Sequence, residues 1–366
     1  MQSIGGDDIK YEYWFANLMK ISCKRKLEIR QVIKTAEELY YIEETALKQY
    51  VEDEKERTLI LDSIRSWKLD KEYQKLEQKE AWFVTILDER YPERLRNIPS
   101  PPYALFVKGN LPIEDRKSVA IVGARECTPY GEVMARDFAK TLAQAGVQII
   151  SGMARGVDSA GQSGALEVGG ATFGVLGCGV DICYPREKIG LYMDLQEQGG
   201  IISELPLGTN PLPQYFPARN RIISGLADTI LVMEAKEKSG SLITADIALE
   251  QGKDVYALPG PINSRLSMGC NRLIRQGAGI LLSPEDLLAE LGICQDKEKE
   301  NKGQIKLLLE TTEDLVYSCL GLQPQNLDCL FNVTKVPIPE LLDVLMRLQL
   351  RGVVKEISKN YYVRVK

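Results

Sequence analysis

The chain contains no histidine among its 366 residues. That excludes Ser-His-Asp and Cys-His catalysis and any imidazole general base, because each needs a ring nitrogen that titrates near neutrality. Chemistry run by Asp, Glu, Lys or Tyr stays open. The eight cysteines (Cys23, Cys127, Cys178, Cys183, Cys270, Cys294, Cys319 and Cys329) form no Cys-x-x-Cys pair. A structural zinc site draws on close cysteine pairs or on histidine, so no metal site or disulfide framework is expected, and the thiols read as reduced. No run of 18 or more apolar residues is present, and Met1–Tyr13 lacks the basic-then-apolar order of a secretory signal. A cytoplasmic protein without a membrane span is the expectation.

Two nucleotide-binding signatures are also missing. There is no Gly-x-x-x-x-Gly-Lys-Ser/Thr, and no Gly-x-Gly-x-x-Gly with a ribose-binding acid after the first strand of the central sheet. A P-loop nucleotidase and a bound dinucleotide are therefore not expected, and no cofactor is assigned. Excess positive charge is absent as well. The net charge is −5, and Ser118–Gly292 alone holds 14 basic against 19 acidic residues. A protein that coats duplex DNA non-specifically carries a basic surface. Any nucleic-acid site here has to be a local basic pocket on an acidic body.

What is present is ordinary in bulk: 44% hydrophobic and 27% charged residues, in a length that suits two or three domains. Residues 1–81 read as a small helical, SAM-like domain, with Tyr13-Trp14-Phe15, Leu18, Ile21 and Leu27-Ile29-Val32-Ile33 at helical spacing and little glycine. From Trp82 the pattern changes. Trp82–Leu87 and Tyr103–Val107 read as strands. Short apolar strands then alternate with helical stretches: Val119–Val122, Val147–Ile150, Thr172–Leu176, Ile201-Ile202, Thr229–Met233 and Val255–Leu258. Such alternation gives βαβ units and a parallel sheet, so 82–292 is expected to be a Rossmann-like, doubly wound α/β domain. An alternating-charge linker, 293–303, precedes three helices and a β-hairpin over 304–366, the pattern of a winged helix-turn-helix.

In a doubly wound sheet the ligand sits at the carboxyl ends of the strands. The loops there are alike: Gly123-Ala124-Arg125, then Ser151-Gly152 leading to Arg155-Gly156, Gly177-Cys178-Gly179, Ser239-Gly240-Ser241 ahead of Thr244, and Pro259-Gly260. Glycine lets backbone amides approach a phosphate, a helix N-terminus supplies unpaired N–H groups, and arginine adds a charged fork. Together they describe a phosphate-binding crevice. Phe216-Pro217-Ala218-Arg219-Asn220-Arg221 adds an aromatic platform beside two cations, the chemistry that suits single-stranded nucleic acid. The alternative is a core Phe216 with Arg219 or Arg221 paired to an acid such as Glu234.

These phrases together resemble the DprA/Smf family (DNA-processing protein A). They comprise Ala120–Arg125 with Thr128 and Tyr130-Gly131, Ser151–Asp158, Phe216–Arg221, Ser239–Ala245, and Leu258-Pro259-Gly260 with Gly269-Cys270-Asn271. Tyr91–Leu95 and Lys108-Gly109-Asn110 also fit. The resemblance implies a non-enzymatic homodimer that binds single-stranded DNA, displaces single-strand binding protein and loads the RecA recombinase in natural transformation. It makes Arg125 the main phosphate clamp and Phe216 a stacking ring, with Arg219, Arg221 and Arg186 in the same pocket. The sequence departs from the family at Ala124, where serine is usual, and at Gly161-Gln162, where an Ala-His pair is common. Two rival readings are a Rossmann-like nucleoside-monophosphate phosphoribohydrolase and a winged-helix regulator with an α/β sensor domain. The first lacks its Pro-Gly-Gly stretch here. In the C-terminal segment Glu340 and Asp343 precede Arg347 and Arg351 on the third helix, so a protein-contact role is expected there rather than sequence-specific duplex reading.

Overall fold

The computed structural model describes residues 8–293, 311–321, 324–358 and 360–364. The chain divides into two units, Met1–Gln295 and Asp296–Lys366. Apart from Ile293, the expected linker 293–303 lies outside the described residues.

The first unit holds a nine-stranded sheet: β1 (Trp82–Thr85), β2 (Ala104–Gly109), β3 (Ser118–Val122), β4 (Gln148–Ser151), β5 (Thr172–Val175), β6 (Gly200–Ser203), β7 (Thr229–Val232), β8 (Asp254–Ala257) and β9 (Gly279–Ile280). Its order is β1-β2-β6-β5-β4-β3-β7-β8-β9. From β6 to β9 every pairing is parallel, while β1 and β2 add an antiparallel edge. All eight expected strands are present, and β9 is an addition. The central strands are buried on both faces, which explains their unbroken apolar runs. In β3, Ala120 and Val122 join one apolar cluster while Val119 and Ile121 join the other.

Six helices precede the sheet: α1 (Asp8–Ala16), α2 (Cys23–Val32), α3 (Ala36–Tyr40), α4 (Glu44–Tyr50), α5 (Glu54–Ser66) and α6 (Leu69–Gln78). They share their core with the antiparallel edge. Tyr13 on α1 lies 5.3 Å from the Phe83 ring of β1 and 6.1 Å from Phe106 of β2. Glu12 takes an ion pair from Arg30 at 2.5 Å and a hydrogen bond from the Tyr103 hydroxyl at 3.2 Å. Burial of an aromatic ring is worth about 1.5–3 kcal/mol, so the Tyr13-Trp14-Phe15 run fastens this segment to the sheet.

The remaining helices of this unit are α7 (Glu93–Arg96), α8 (Pro129–Gln144), α9 (Val157–Leu166), α10 (Ile189–Gln198), α11 (Tyr215–Leu226), α12 (Gly240–Glu250), α13 (Met268–Arg275) and α14 (Pro284–Glu290). The chain leaves β3 through α8 towards β4, whereas β7 lies on the other side of β3 and continues to β8. The switch point, where doubly wound sheets place their ligand crevice, falls between the carboxyl ends of β3 and β7.

The second unit has α15 (Thr311–Cys319), α16 (Leu327–Thr334) and α17 (Ile338–Leu350), with an antiparallel sheet ordered β10-β12-β11. Its strands are β10 (Gln325–Asn326), β11 (Val354–Ser358) and β12 (Tyr361–Arg364). Val316, Leu330, Leu341, Val344, Leu345 and Leu348 form its own core. Among the described residues no helix is long and apolar enough to cross a membrane.

Candidate nucleic-acid interface

The loop after β3 is shaped by close packing. A side chain at Gly123 would meet Val157 at 2.7 Å, and one at Gly156 would meet the Ala124 carbonyl at 2.3 Å. Gly156 also adopts φ +71°, a left-handed conformation that favours glycine. These two glycines bring the β3–α8 and β4–α9 loops together, and the Val157 amide donates to the Ala124 carbonyl at 3.2 Å.

Beneath them lie two buried groups of opposite charge. Arg219, only 5% exposed, reaches from α11 and donates Nη1 to the carbonyls of Gly152 (2.9 Å) and Val175. Asp158 on α9 accepts from the amides of Gly152 (3.1 Å) and Ala154 (3.4 Å). Burial lowers Arg219 to about 10 against the attraction of Asp158, and burial raises Asp158 against the attraction of Arg219. A side chain at Gly152 would lie 2.6 Å from the guanidinium, so this glycine is the space Arg219 occupies. These hydrogen bonds tie α9, α11 and the ends of β4 and β5 into one floor.

Above the floor sits a half-buried ring. Phe216 has the exposed Arg125 guanidinium 5.4 Å above its centroid and Arg219 at 6.0 Å. Tyr184, 39% exposed, packs beside it with ring centroids 5.5 Å apart. A side chain at Gly177 would fall 3.0 Å from the Phe216 ring, so the glycine after β5 makes room for it. Arg125 and Arg186 are exposed and form no hydrogen bond or ion pair among the described residues. Arg155 is exposed too, paired with Glu187. Over the loops after β3, β4, β5, β7 and β8, the exposed charged residues are Arg125, Arg155, Arg186, Lys236, Lys238 and Arg265 against Glu126, Glu187 and Glu237. A net positive edge stands on a negatively charged domain.

The other residues singled out from the sequence face elsewhere. Ser151 donates its hydroxyl to the Ile121 carbonyl at 2.6 Å and is buried. Arg221 forks onto both oxygens of Glu204 (2.7 and 2.5 Å) and the Ser100 carbonyl (2.8 Å), away from Arg125. Buried Asn220 points its amide at the Gly240 carbonyl, 3.4 Å away. Ser239 caps α12 and shares a 2.7 Å hydrogen bond with Ser241, and Thr244 donates to the Gly240 carbonyl at 3.3 Å. Gly240 is exposed with open space where a side chain would go. Glu234 pairs with none of the arginines. It is buried at the start of α8, taking the Thr128 amide and hydroxyl at 2.7 Å each. That carboxylate fills the place an anion would take at this helix N-terminus. Gln162 is a core amide, donating to the Phe173 carbonyl at 3.1 Å.

Sequence reasoning gave no site role to Asp158 or Tyr184, and weighed Glu234 only as a partner for Arg219 or Arg221. Tyr184 carried a signal, since it precedes Pro185-Arg186 in a loop after β5. Glu234 carried none, because its partner Thr128 lies 106 residues away in sequence, whereas Asp158 accepts from amides six and four residues before it.

Comparison with known proteins gives the family and the fold. The family model for DNA recombination-mediator protein A matches residues 82–292. Protein Smf of Escherichia coli K12 is 39% identical over 78% of each chain, and DNA processing protein DprA of Streptococcus pneumoniae R6 is 42% identical over 61% of this chain and 77% of the relative. The chain belongs to the DprA/Smf family. The solved structure of the S. pneumoniae DprA superposes with a TM-score of 0.66 at 33% identity, covering 77% of this chain and 97% of that one. A second structure, of DNA processing protein A from Helicobacter pylori, solved for its single-stranded DNA binding mode, gives 0.53 at 30% identity over 58% and 97%. The family match spans the whole sheet and every crevice loop. At the two departures, Ala124 is a buried contact of the Gly156 turn and Gln162 is a core amide, so neither removes an exposed cation.

Proposed function

We propose that the crevice between β3 and β7 binds single-stranded DNA, and that the protein acts in DNA processing during natural transformation, protecting incoming strands and loading the RecA recombinase. The observation that carries this reading is Arg125. It is exposed and unpaired, and held over a half-buried ring that has a second ring beside it. A base can stack on such a platform while its phosphate meets the guanidinium, and stacking contributes ~1–3 kcal/mol per base. A duplex cannot use it, because paired bases hide their faces. The relatives' naming as DNA processing proteins, and the H. pylori structure solved with regard to single-stranded DNA, support the same reading.

Within it, Arg125, Arg155 and Arg186 are the phosphate contacts and Phe216 with Tyr184 the stacking surface. Gly123, Gly152, Gly156, Arg219 and Asn220 build the floor, while Ser151, Arg221, Ser241 and Thr244 hold the scaffold. Ser239 and Gly240 line the far lip. The protein works as a homodimer, with single-strand binding protein and RecA as its partners, and without catalysis. The C-terminal unit is a winged helix-turn-helix used for protein contact. On α17, Arg351 pairs with buried Glu313 at 2.7 Å, and Arg347 with Asp343 at 2.9 Å. Those cations are spent within the unit, which disfavours a duplex-reading role.

The test is fluorescence anisotropy with labelled oligo-dT and a matched duplex, over a salt series. Preference for the single strand, weakened by salt with a slope of roughly 0.7 per phosphate contacted, is the expected result. Absence of single-strand binding at low salt would refute the reading. RecA loading is checked by strand exchange on strands pre-coated with single-strand binding protein, and the dimer by sedimentation.

A further inference from the structure

The loop after β8 carries side chains that the Arg125–Phe216 platform does not use. Ile262 is 91% exposed, and Arg265 is exposed with no hydrogen bond or ion pair among the described residues. The loop is fastened to the rest of the edge from three sides. Tyr130, at the start of α8, donates its hydroxyl to the Pro259 carbonyl at 3.1 Å while its ring stays 44% exposed. The Ala235 amide donates to the Leu266 carbonyl at 2.7 Å. Asn271 bonds both the amide and the carbonyl of Gly260, at 3.3 and 2.9 Å. The loops bearing Arg125, Tyr130 and Arg265 are thus continuous along one edge, across the switch point.

A large aliphatic side chain held out in water loses the ~1.5–3 kcal/mol that burial would give it. The same loop carries the unpaired Arg265 and is bonded to the half-exposed Tyr130, on an edge whose exposed charges are net positive while the domain as a whole is negative. Ring, hydrocarbon and cation together suit unpaired bases and their backbone. We infer that a bound single strand runs on past the Arg125–Phe216 platform and over the β8 loop, placing a base against Tyr130 and Ile262 and a phosphate at Arg265. This rests on the crevice reading above and lengthens its track.

The test measures oligo-dT of about 6 and about 20 nucleotides, bracketing the usual site sizes of ~4–16 nucleotides. The full chain is compared with Arg265→Ala, Ile262→Ser and Arg125→Ala. The unsubstituted chain should gain affinity on lengthening. Arg265→Ala should reduce the long-to-short affinity ratio by about three- to tenfold and lower the salt slope on the long strand by ~0.7. Ile262→Ser should reduce the ratio by less. Arg125→Ala should weaken both lengths. If Arg125→Ala weakens neither, the crevice reading itself fails. If it weakens both while the other two keep the original ratio, the extension alone is overturned. A fall in the ratio accompanied by a changed sedimentation coefficient would also overturn it, assigning the loop to contact between copies of the chain.

Discussion

The crevice edge of the first unit and helix α17 of the second both carry arginines, yet the two sets differ in what surrounds them. At the crevice Arg125 and Arg186 have no ion-pair partner among the described residues, and Glu234, just after β7, is occupied by Thr128. On α17 the cations face Glu313, which is fully buried, and Asp343. The number of arginines says little about affinity for phosphate. Their internal neutralisation decides it, and that depends on contacts remote in sequence.

The strongest way to break this contrast is to remove an arginine that is spent internally at the crevice. Arg219→Ala removes the cation that attracts Asp158 most and strips a donor from the Gly152 and Val175 carbonyls. A buried polar group left unsatisfied costs about 1–3 kcal/mol, and two carbonyls lose this donor, so urea denaturation should show the first unit destabilised by at least that order. Unchanged stability would mean that the floor does not rest on Arg219. Arg125→Ala is the counterpart. It should cost about 1–3 kcal/mol in single-strand binding, roughly ten- to a hundredfold, with the unfolding midpoint unchanged because the side chain is exposed. A fall in stability with equal affinity would reverse the roles assigned to the two residues.

The sequence made much of this layout legible and hid one part of it. Strands β3 to β8 follow from short runs rich in β-branched residues, with glycine within two residues of the ends of β3, β4 and β5, and the position of the switch point follows from their alternation with helices. Phe216 and Arg125 stand out as an aromatic and a cation in phrases bound for the same edge. The pairings could not be seen. Arg219 and Arg221 are two residues apart on α11, which turns them onto opposite sides of the helix. One turns inward onto the Gly152 and Val175 carbonyls and the other forks onto Glu204. Ser151 reads as a phosphate ligand by type and loop position, but its hydroxyl is already taken by the neighbouring strand. Whether a polar side chain is free is a property of packing, and periodicity carries no record of it.

The contrast is sharpened by releasing cations where they are now held. Glu313→Gln keeps the side-chain shape but removes the charge that Arg347 and Arg351 share. Leaving a buried amide poorly matched should destabilise the second unit by about 1–3 kcal/mol. The freed arginines should raise duplex binding by the full chain at low salt, read by anisotropy. If duplex binding does not change, the acids Glu340 and Asp343 are the stronger bar to DNA on this helix.

The smallest effect is expected from the same manipulation at the crevice. Arg155 and Glu187 form an exposed pair, and such pairs hold their partners weakly against water and salt. Glu187→Gln should leave the unfolding midpoint where it was. It removes one of the three exposed acids on this edge and lets Arg155 turn to a backbone phosphate. Single-strand affinity should therefore rise by about two- to threefold at low salt, with a salt slope steeper by up to ~0.7, and the gain should fade as salt is added. A loss of affinity instead would mean that the pair positions the β4–α9 loop, so that Glu187 holds Arg155 in the orientation the strand requires. The sign of this one change separates an arginine restrained by its neighbour from one aimed by it.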